Sequence, residues 1–153
     1  MGREAVGRDR LPVWLSATAL LLLAQMAVGM VVNLYVVVPA RHPGARPGDY
    51  LGGSARSIGW AIGSGRAVLA VHAALGLELV VAALAVFGVA LARRRARTAA
   101  WAGLAAALIV GAGFNGASFL DFGRDYSSLI MALLSLGAVG CYLLALADRS
   151  NVG

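Results

Sequence analysis

The sequence predicts an all-α membrane protein, a bundle of four transmembrane helices with a short helix at its outer interface. The chain has 153 residues, of which 60% are hydrophobic and 13% are charged. A soluble domain carries about 25% charged residues, so this chain has too little charge to cover a water-facing surface. In addition, four stretches are apolar over the roughly 20 residues that a helix needs to cross a membrane. The composition and these four stretches together indicate a single transmembrane domain over residues 1–153.

The four predicted spans cover about residues 12–39, 67–92, 98–120 and 126–147. Among them only the second contains a charged residue, Glu78. The first apolar run is too long for the hydrophobic region of a signal peptide, so we expect it to stay in the mature protein. The only cysteine, Cys141, lies inside the fourth apolar run and is expected to be a small buried side chain.

The first loop, residues 40–66, divides into two parts. Its first half, PARHPGARPGDYLGGS, is rich in Pro and Gly and is expected to be irregular. Its second half, SARSIGWAIGSG, places Ile58, Trp60 and Ile62 among small residues, which favours a short interfacial helix. We interpret this segment as an ordered lid over the mouth of the bundle. The alternative is a gate or a binding element.

The distribution of Arg predicts the orientation. All 13 basic residues are Arg, and the Ala, Gly, Val and Leu richness is typical of a GC-rich bacterial genome. One side of the membrane would hold Arg3, Arg8, Arg10, Arg93, Arg94, Arg95, Arg97 and Arg149, and the other Arg41, Arg46, Arg56, Arg66 and Arg124. The positive-inside rule places the richer side in the cytoplasm. We therefore expect a bacterial inner-membrane protein with both termini cytoplasmic and loop 40–66 outside.

Polar residues within the spans fall at two depths. A rise of about 1.5 Å per residue puts Gln25, Glu78 and Ser135 near the mid-plane. The same rise puts a second set about 9–13 Å further outward. This outer polar layer consists of Asn33, His72, Asn115 and Ser128.

Each of these polar groups is a candidate for a functional site, because a polar side chain in hydrocarbon is costly. The competing interpretation is that they are packing contacts, since polar side chains bridge transmembrane helices by hydrogen bonds worth about 1 kcal/mol. Glu78 fits this interpretation least well, because a carboxylate at mid-membrane needs a partner. Gln25 is the partner candidate at matching depth.

Three functions are compatible with these residues. The first is an accessory or structural bundle that packs on itself, as a homodimer, or on a larger membrane complex. The second is a small ion or solute transporter or channel subunit, in which Glu78 carries a proton or cation below the outer polar layer. The third is a b-type haem protein, with His72 as one axial ligand and Met30 or Met131 as the other. His42 lies in the outer loop beside Pro43 and is not a candidate at that depth.

Enzyme, metal and nucleic-acid functions are not expected. The stretch GAGFNGASFLDFGRD contains the letters G-x-G-x-x-G and D-F-G. The first string needs a preceding strand, but here it lies late in an apolar span. The second needs a catalytic Lys, and this chain has no Lys. Asp121 and Asp125 are instead interpreted as turn and cap residues between the last two spans. The basic residues form no continuous face or stacking platform for nucleic acid.

Four segments together resemble a group of small four-span membrane proteins from high-GC bacteria. They are QMAVGMVVNLYVVVPARHPG, SIGWAIGSG, LAVHAALGL and GAGFNGASFLDFGRDYSSLIMALL. The resemblance covers most of the chain except the two termini and the RRRAR turn, and it stops just before Glu78. It implies a four-helix fold and brings no activity with it.

Overall fold

The structure, a computed structural model, describes residues 10–150. Expectations about the two termini, including Arg3 and Arg8, and about the side chains of Asp125 and Arg149 lie outside the described part. Within it the chain forms five helices: α1 (Leu11–Tyr35), α2 (Tyr50–Ser64), α3 (Ala67–Ala92), α4 (Ala96–Phe122) and α5 (Asp125–Ser150). The predicted all-α fold class is confirmed.

Four of these helices, α1, α3, α4 and α5, are long and apolar enough to cross a membrane. They indicate a multi-pass membrane protein. The four are arranged in a ring in the order α1, α3, α4, α5, so that each packs against two neighbours. The short α2 packs only against α3 and α4, at one end of the ring. We call this end of the bundle the α2 end.

The helix boundaries differ from the predicted spans where the local sequence favours another conformation. α1 ends at Tyr35 rather than near residue 39, and Val36 is extended, with φ −113° and ψ 115°. Consecutive β-branched residues and the restriction that Pro39 places on Val38 both disfavour further helix. α4 continues to Phe122 and is capped by Gly123. The φ of Gly123 is 63°, a left-handed conformation that glycine adopts without strain.

The core at the end opposite α2 is built from small side chains. Leu11 and Leu15 of α1 are buried there against a mainly alanine surface of the other three long helices. The alanines are Ala83, Ala90, Ala99, Ala102, Ala105, Ala106, Ala138 and Ala145. Small residues let transmembrane helices approach closely. This half of the bundle is therefore tightly closed, and Cys141 is buried within it, as expected.

A polar contact joins α4 to α5 at the same end. Asp148 accepts a hydrogen bond from Arg97 at 2.8 Å and another from the indole N–H of Trp101 at 3.0 Å. Since the Arg97 side chain is 79% exposed, the ion pair itself contributes little to stability. The contact therefore serves mainly to hold the start of α4 beside the end of α5.

The interfacial helix α2 is longer than predicted. It begins at Tyr50, after the N-cap Asp49 accepts a hydrogen bond from the Gly52 N–H at 3.0 Å. Its buried face consists of Gly53, Ser54, Ser57 and Ala61. These small residues let α2 pack close to α3 and α4. The helix therefore lies over one end of the bundle, where the lid interpretation expects it.

Polar contacts fasten α2 to the end of α4. The hydroxyl of Ser54 donates to a carboxylate oxygen of Asp121 at 2.7 Å, and both side chains are buried. The hydroxyl of Tyr50 donates to the main-chain oxygen of Phe114 at 3.0 Å and lies 3.0 Å from the Ser118 hydroxyl. Asp121 is thus a buried anchor for α2 within the last turn of α4. Its interpretation as a turn residue was wrong.

The irregular first half of the loop is also held against α4. The Arg46 N–H donates to the main-chain oxygen of Asp121 at 2.8 Å. His42 stacks on Trp60 of α2 at 4.4 Å between ring centroids, and its Nε2 lies 3.1 Å from the main-chain oxygen of Leu120. The loop and α2 therefore form one ordered cap.

Candidate ligand-binding cavity

A cavity of about 740 Å³ lies between the cap and the closed alanine-rich core. All five helices contribute to its lining. Leu22, Leu79 and Ile109 line it and also belong to the core below, so they form its floor. On the opposite side α2 forms the roof, with Leu51, Ser54, Ala55 and Ile58. The cavity therefore occupies the half of the bundle nearer the α2 end.

The cavity wall is mainly apolar and carries a few polar groups. Its lining includes Gln25, Asn33, Ser54, His72, Ser128 and Ser135. The residues lining it within the described part of the chain include no Asp, Glu, Arg or Lys. Binding sites for small molecules have this composition, with apolar walls and a few placed polar groups, and volumes of about 300–1,000 Å³.

The main polar contact of the wall joins α1 to α3. Gln25 Nε2 donates to the main-chain oxygen of His72 at 2.9 Å. Gly76 makes room for this amide, because a Cβ there would lie 3.3 Å from Gln25 Nε2. A Cβ at Gly29 would lie only 2.8 Å from Cε1 of the His72 ring. The two glycines therefore allow the Gln25 and His72 side chains to lie between the two helices.

Two polar atoms at this contact are unsatisfied. Gln25 Oε1 and His72 Nδ1 are buried, and neither has a hydrogen-bond partner among residues 10–150. Most buried polar atoms in folded proteins have a partner, so an unpaired one needs an explanation. Gln25 and His72 both line the cavity, so a bound molecule would lie beside this contact.

The cavity reaches the surface on two sides of the bundle. Met30, Asn33 and Leu129 line it and are also exposed, which places a rim between α1 and α5. Leu77 and Phe114 also line the cavity and are exposed, which places a second rim between α3 and α4. Because α2 packs against α3 and α4 only, the α1–α5 side is not covered by α2. These two openings lie between long helices, toward the region that lipid would occupy, and Leu51 and Ala55 of the roof are exposed as well.

The structure brings five of the seven sequence-predicted polar residues to this one cavity. They are Gln25, Asn33, His72, Ser128 and Ser135. Asn115 does not line the cavity, and its side-chain amide donates to the main-chain oxygen of Gly111 in its own helix at 2.9 Å. Glu78 lies on the outside of the bundle and is exposed.

The suggested pairing of Gln25 with Glu78 does not occur. Gln25 bonds to the His72 carbonyl instead. Gly76 faces α1. Glu78 lies two residues later, about 200° further around the helix, and therefore points away from α1. Equal depth in the membrane was therefore not enough to bring the two side chains together.

Sequence reasoning missed the contribution of α2 to the site. Ser54 lines the roof and bonds to Asp121, and neither residue was a site candidate. One signal was present, because Gly53, Ser57 and Ala61 recur every four residues along one face of α2. Such a stripe of small residues indicates a helix that packs closely on another.

The haem hypothesis gains no support from the arrangement of its proposed ligands. The His72 ring lies against Gly29 with Cε1 nearest, and its Nδ1 is buried. The sulfur of Met131 packs against Gly116, since it lies 3.1 Å from the point that a Cβ at Gly116 would occupy. Met30 is 59% exposed at the rim. Haem binding through His72 stays an untested alternative that spectroscopy can check.

No protein-family model, curated protein or solved structure matches the chain. A role must therefore be inferred from the geometry of the cavity and its surroundings.

Proposed function

We propose that this membrane protein is a non-enzymatic binding protein for a neutral amphiphilic molecule, which enters the cavity sideways from the bilayer. The observation that carries the proposal is the cavity of about 740 Å³ with apolar walls, one polar contact and an uncovered α1–α5 rim. Its volume is that of a small-molecule site. The apolar part of the ligand would lie along Met26, Met131 and Ala132, which line the cavity.

The polar residues favour a neutral head group. A charged head buried in the cavity would need a counter-ion, and the lining residues offer no charged side chain. The amide of Gln25 and the ring of His72 suit a hydroxyl, carbonyl or amide group, because they supply both donors and acceptors. Asn33 at the rim provides a further amide that the ligand passes as it enters.

A binding role is favoured over a continuous channel. Below Leu22, Leu79 and Ile109 the bundle is closed by the alanine-rich core. Glu78 does not line the cavity, so the arrangement gives no support to a proton or cation path through that residue. A solute transporter remains compatible with the cavity only if the closed half opens.

We also propose that the α2 end faces outward from the bacterial inner membrane. The exposed Arg93, Arg94, Arg95 and Arg97 cluster at the opposite end, where the positive-inside rule places the cytoplasm. In this orientation the openings lie in the outer leaflet. The ligand would be a molecule that partitions into that leaflet.

The alternative is an accessory bundle, as a homodimer or in a larger complex, whose cavity has no specific occupant. Native mass spectrometry of the purified protein distinguishes the two roles. The binding role predicts one retained amphiphile per chain after exchange into detergent, whereas the accessory role predicts no defined adduct.

A matched pair of variants locates any adduct. Ala132→Trp would fill the cavity, and Leu133→Trp would place the same side chain on the surface, since Leu133 is 59% exposed. The adduct should be lost with Ala132→Trp and kept with Leu133→Trp. Retention of the adduct by a folded Ala132→Trp protein would refute binding in this cavity.

A further inference from the structure

Glu78 is exposed at the middle of α3, on a surface that faces lipid. It is the twelfth of 26 residues in the helix, and it forms no hydrogen bond or ion pair within residues 10–150. A carboxyl group in hydrocarbon without a hydrogen-bonding partner is costly. The position therefore calls for a partner from outside this chain.

The residues around Glu78 form a regular stripe along the exposed face of α3. Its members are Val71, Ala74, Glu78, Val81, Ala85, Gly88 and Ala92, at alternating spacings of three and four residues. All of them are exposed except Ala74, which is partly buried. We call this set the α3 stripe. Its spacing is that of the contact seam of a coiled coil.

The α3 stripe is shaped for close contact with another helix. Four of its members are small residues, namely Ala74, Ala85, Gly88 and Ala92, and a Cβ at Gly88 would meet nothing within 4 Å. Small residues at such a seam let two transmembrane helices approach closely. A single polar residue at a seam position commonly fixes the register and the number of helices, and Glu78 has that position here.

We propose that the α3 stripe is the interface of a homodimer in which the Glu78 carboxyl groups of two copies bond to each other. Two copies inserted in the same direction have parallel α3 helices related by a two-fold axis, so each residue of the seam faces its own counterpart. A protonated carboxyl group is both donor and acceptor, and it therefore pairs with a second carboxyl group.

The identity of the partner follows from the residues that this chain offers. Glu78 is the only charged residue within spans 12–39, 67–92 and 98–120. Gln25 and Ser135 have a similar depth but line the cavity, so on its exposed surface at this depth a second copy offers its own Glu78. This pairing is independent of whether the cavity binds an amphiphile.

Disulfide cross-linking in membranes tests the dimer. In a Cys141→Ala background, which removes the only native cysteine, Ala85→Cys places a thiol on the α3 stripe. Ala107→Cys is the control, because Ala107 is exposed on α4 at a similar distance from the RRRAR turn. Mild oxidation should give covalent dimers rapidly for Ala85→Cys and only slowly for Ala107→Cys. Equal rates for the two variants would indicate random collision and would overturn the proposal.

Substitution of Glu78 tests the carboxyl pair. Glu78→Leu should weaken dimerisation of the purified protein in bilayers about tenfold, the factor expected from losing one interhelical hydrogen bond. Glu78→Gln should retain it, because an amide is also both donor and acceptor. Both variants should melt much like the wild type, since the Glu78 side chain is exposed and forms no hydrogen bond or ion pair within residues 10–150.

Three results would overturn the proposal. They are undiminished dimerisation of Glu78→Leu, a strictly monomeric wild-type protein at every lipid dilution, and cross-linking of Ala85→Cys to a different polypeptide alone. The last result would assign the α3 stripe to a heterologous partner with a basic or polar transmembrane residue.

Discussion

The side-chain amide of Gln25 donates to the main-chain oxygen of His72 at 2.9 Å and so joins α1 to α3 at the cavity wall. The contact leaves Gln25 Oε1 and His72 Nδ1 buried and unpaired. Under the proposed binding role the ligand lies beside this contact, because Gln25 and His72 both line the cavity. We therefore expect substitutions at this contact to affect binding as well as packing.

We expect Gln25→Leu to reduce amphiphile binding while leaving the bundle folded. The substitution removes one interhelical hydrogen bond, worth about 0.6–1 kcal/mol, but it also removes the unpaired Oε1. Thermal unfolding in detergent should change little, and native mass spectrometry should show loss of the adduct. A large fall in melting temperature with the adduct retained would show that Gln25 acts mainly in packing.

Gly29→Ala should destabilise the protein. The new methyl group would lie 2.8 Å from Cε1 of His72, so the ring must move, at a cost of about 1–3 kcal/mol that the higher helix propensity of alanine offsets by up to about 1 kcal/mol. Gly140→Ala is the control, because a Cβ there meets nothing within 4 Å and alanine favours helix by up to about 1 kcal/mol. Melting temperatures should fall for the first variant and stay level or rise for the second.

A second substitution checks the cause of that loss. In a Gly29→Ala, His72→Ala protein the clash is gone, so the effects of the two single changes should not add. Strictly additive losses in the free energy of unfolding would contradict the contact between Gly29 and His72.

Asp121→Ala should loosen α2 from the bundle. It removes the acceptor for Ser54 and leaves a buried hydroxyl unpaired, which costs about 1–3 kcal/mol. Hydrogen exchange of residues 50–64 should become faster, while exchange in the alanine-rich core stays slow. Asp49→Ala, which removes only the N-cap of α2, should affect the first turn of that helix alone. Equal exchange rates along α2 in wild type and Asp121→Ala would show that the buried bond does not hold the cap.

Asn33→Ala and Asn115→Ala should differ in their effect on binding. Asn33 lines the rim of the cavity, whereas the Asn115 amide is already bonded to Gly111 and lies off the wall. Amphiphile affinity should therefore fall several-fold, as loss of about 1 kcal/mol implies, only for Asn33→Ala. A stronger effect from Asn115→Ala would mean that the site lies on the α4 side instead.

Purified protein from haem-sufficient cells should show no Soret absorption. The His72 ring packs against Gly29, with Nδ1 buried in the contact between α1 and α3. A band stoichiometric with the protein, lost on His72→Ala, would establish the haem function over amphiphile binding.

Hydropathy predicted the four long helices, because membrane insertion depends chiefly on the length of apolar runs. The depth of each polar residue along its helix was also available from counting. The rotation of each helix about its own axis could not be obtained by counting, since it depends on which helix faces pack together. Glu78 and Asn115 show the consequence, because both have a predicted depth and neither faces the cavity.

The role of Asp121 could not be predicted from the sequence for a different reason. Its partner Ser54 is 67 residues away and belongs to a helix whose docking depends on small residues rather than on an apolar pattern. A local pattern of aspartates between two spans resembles a turn and contains no sign of this contact.

Binding in the cavity is tested most directly by photo-cross-linking with a fatty alcohol that carries a diazirine on its chain, followed by peptide mapping in bilayers. We expect labelling to concentrate on cavity residues such as Met26, Met131 and Ala132, to saturate, and to be displaced by the unmodified alcohol. Labelling that does not saturate and spreads over lipid-facing residues such as Leu133 and Leu136 would contradict amphiphile binding in the cavity.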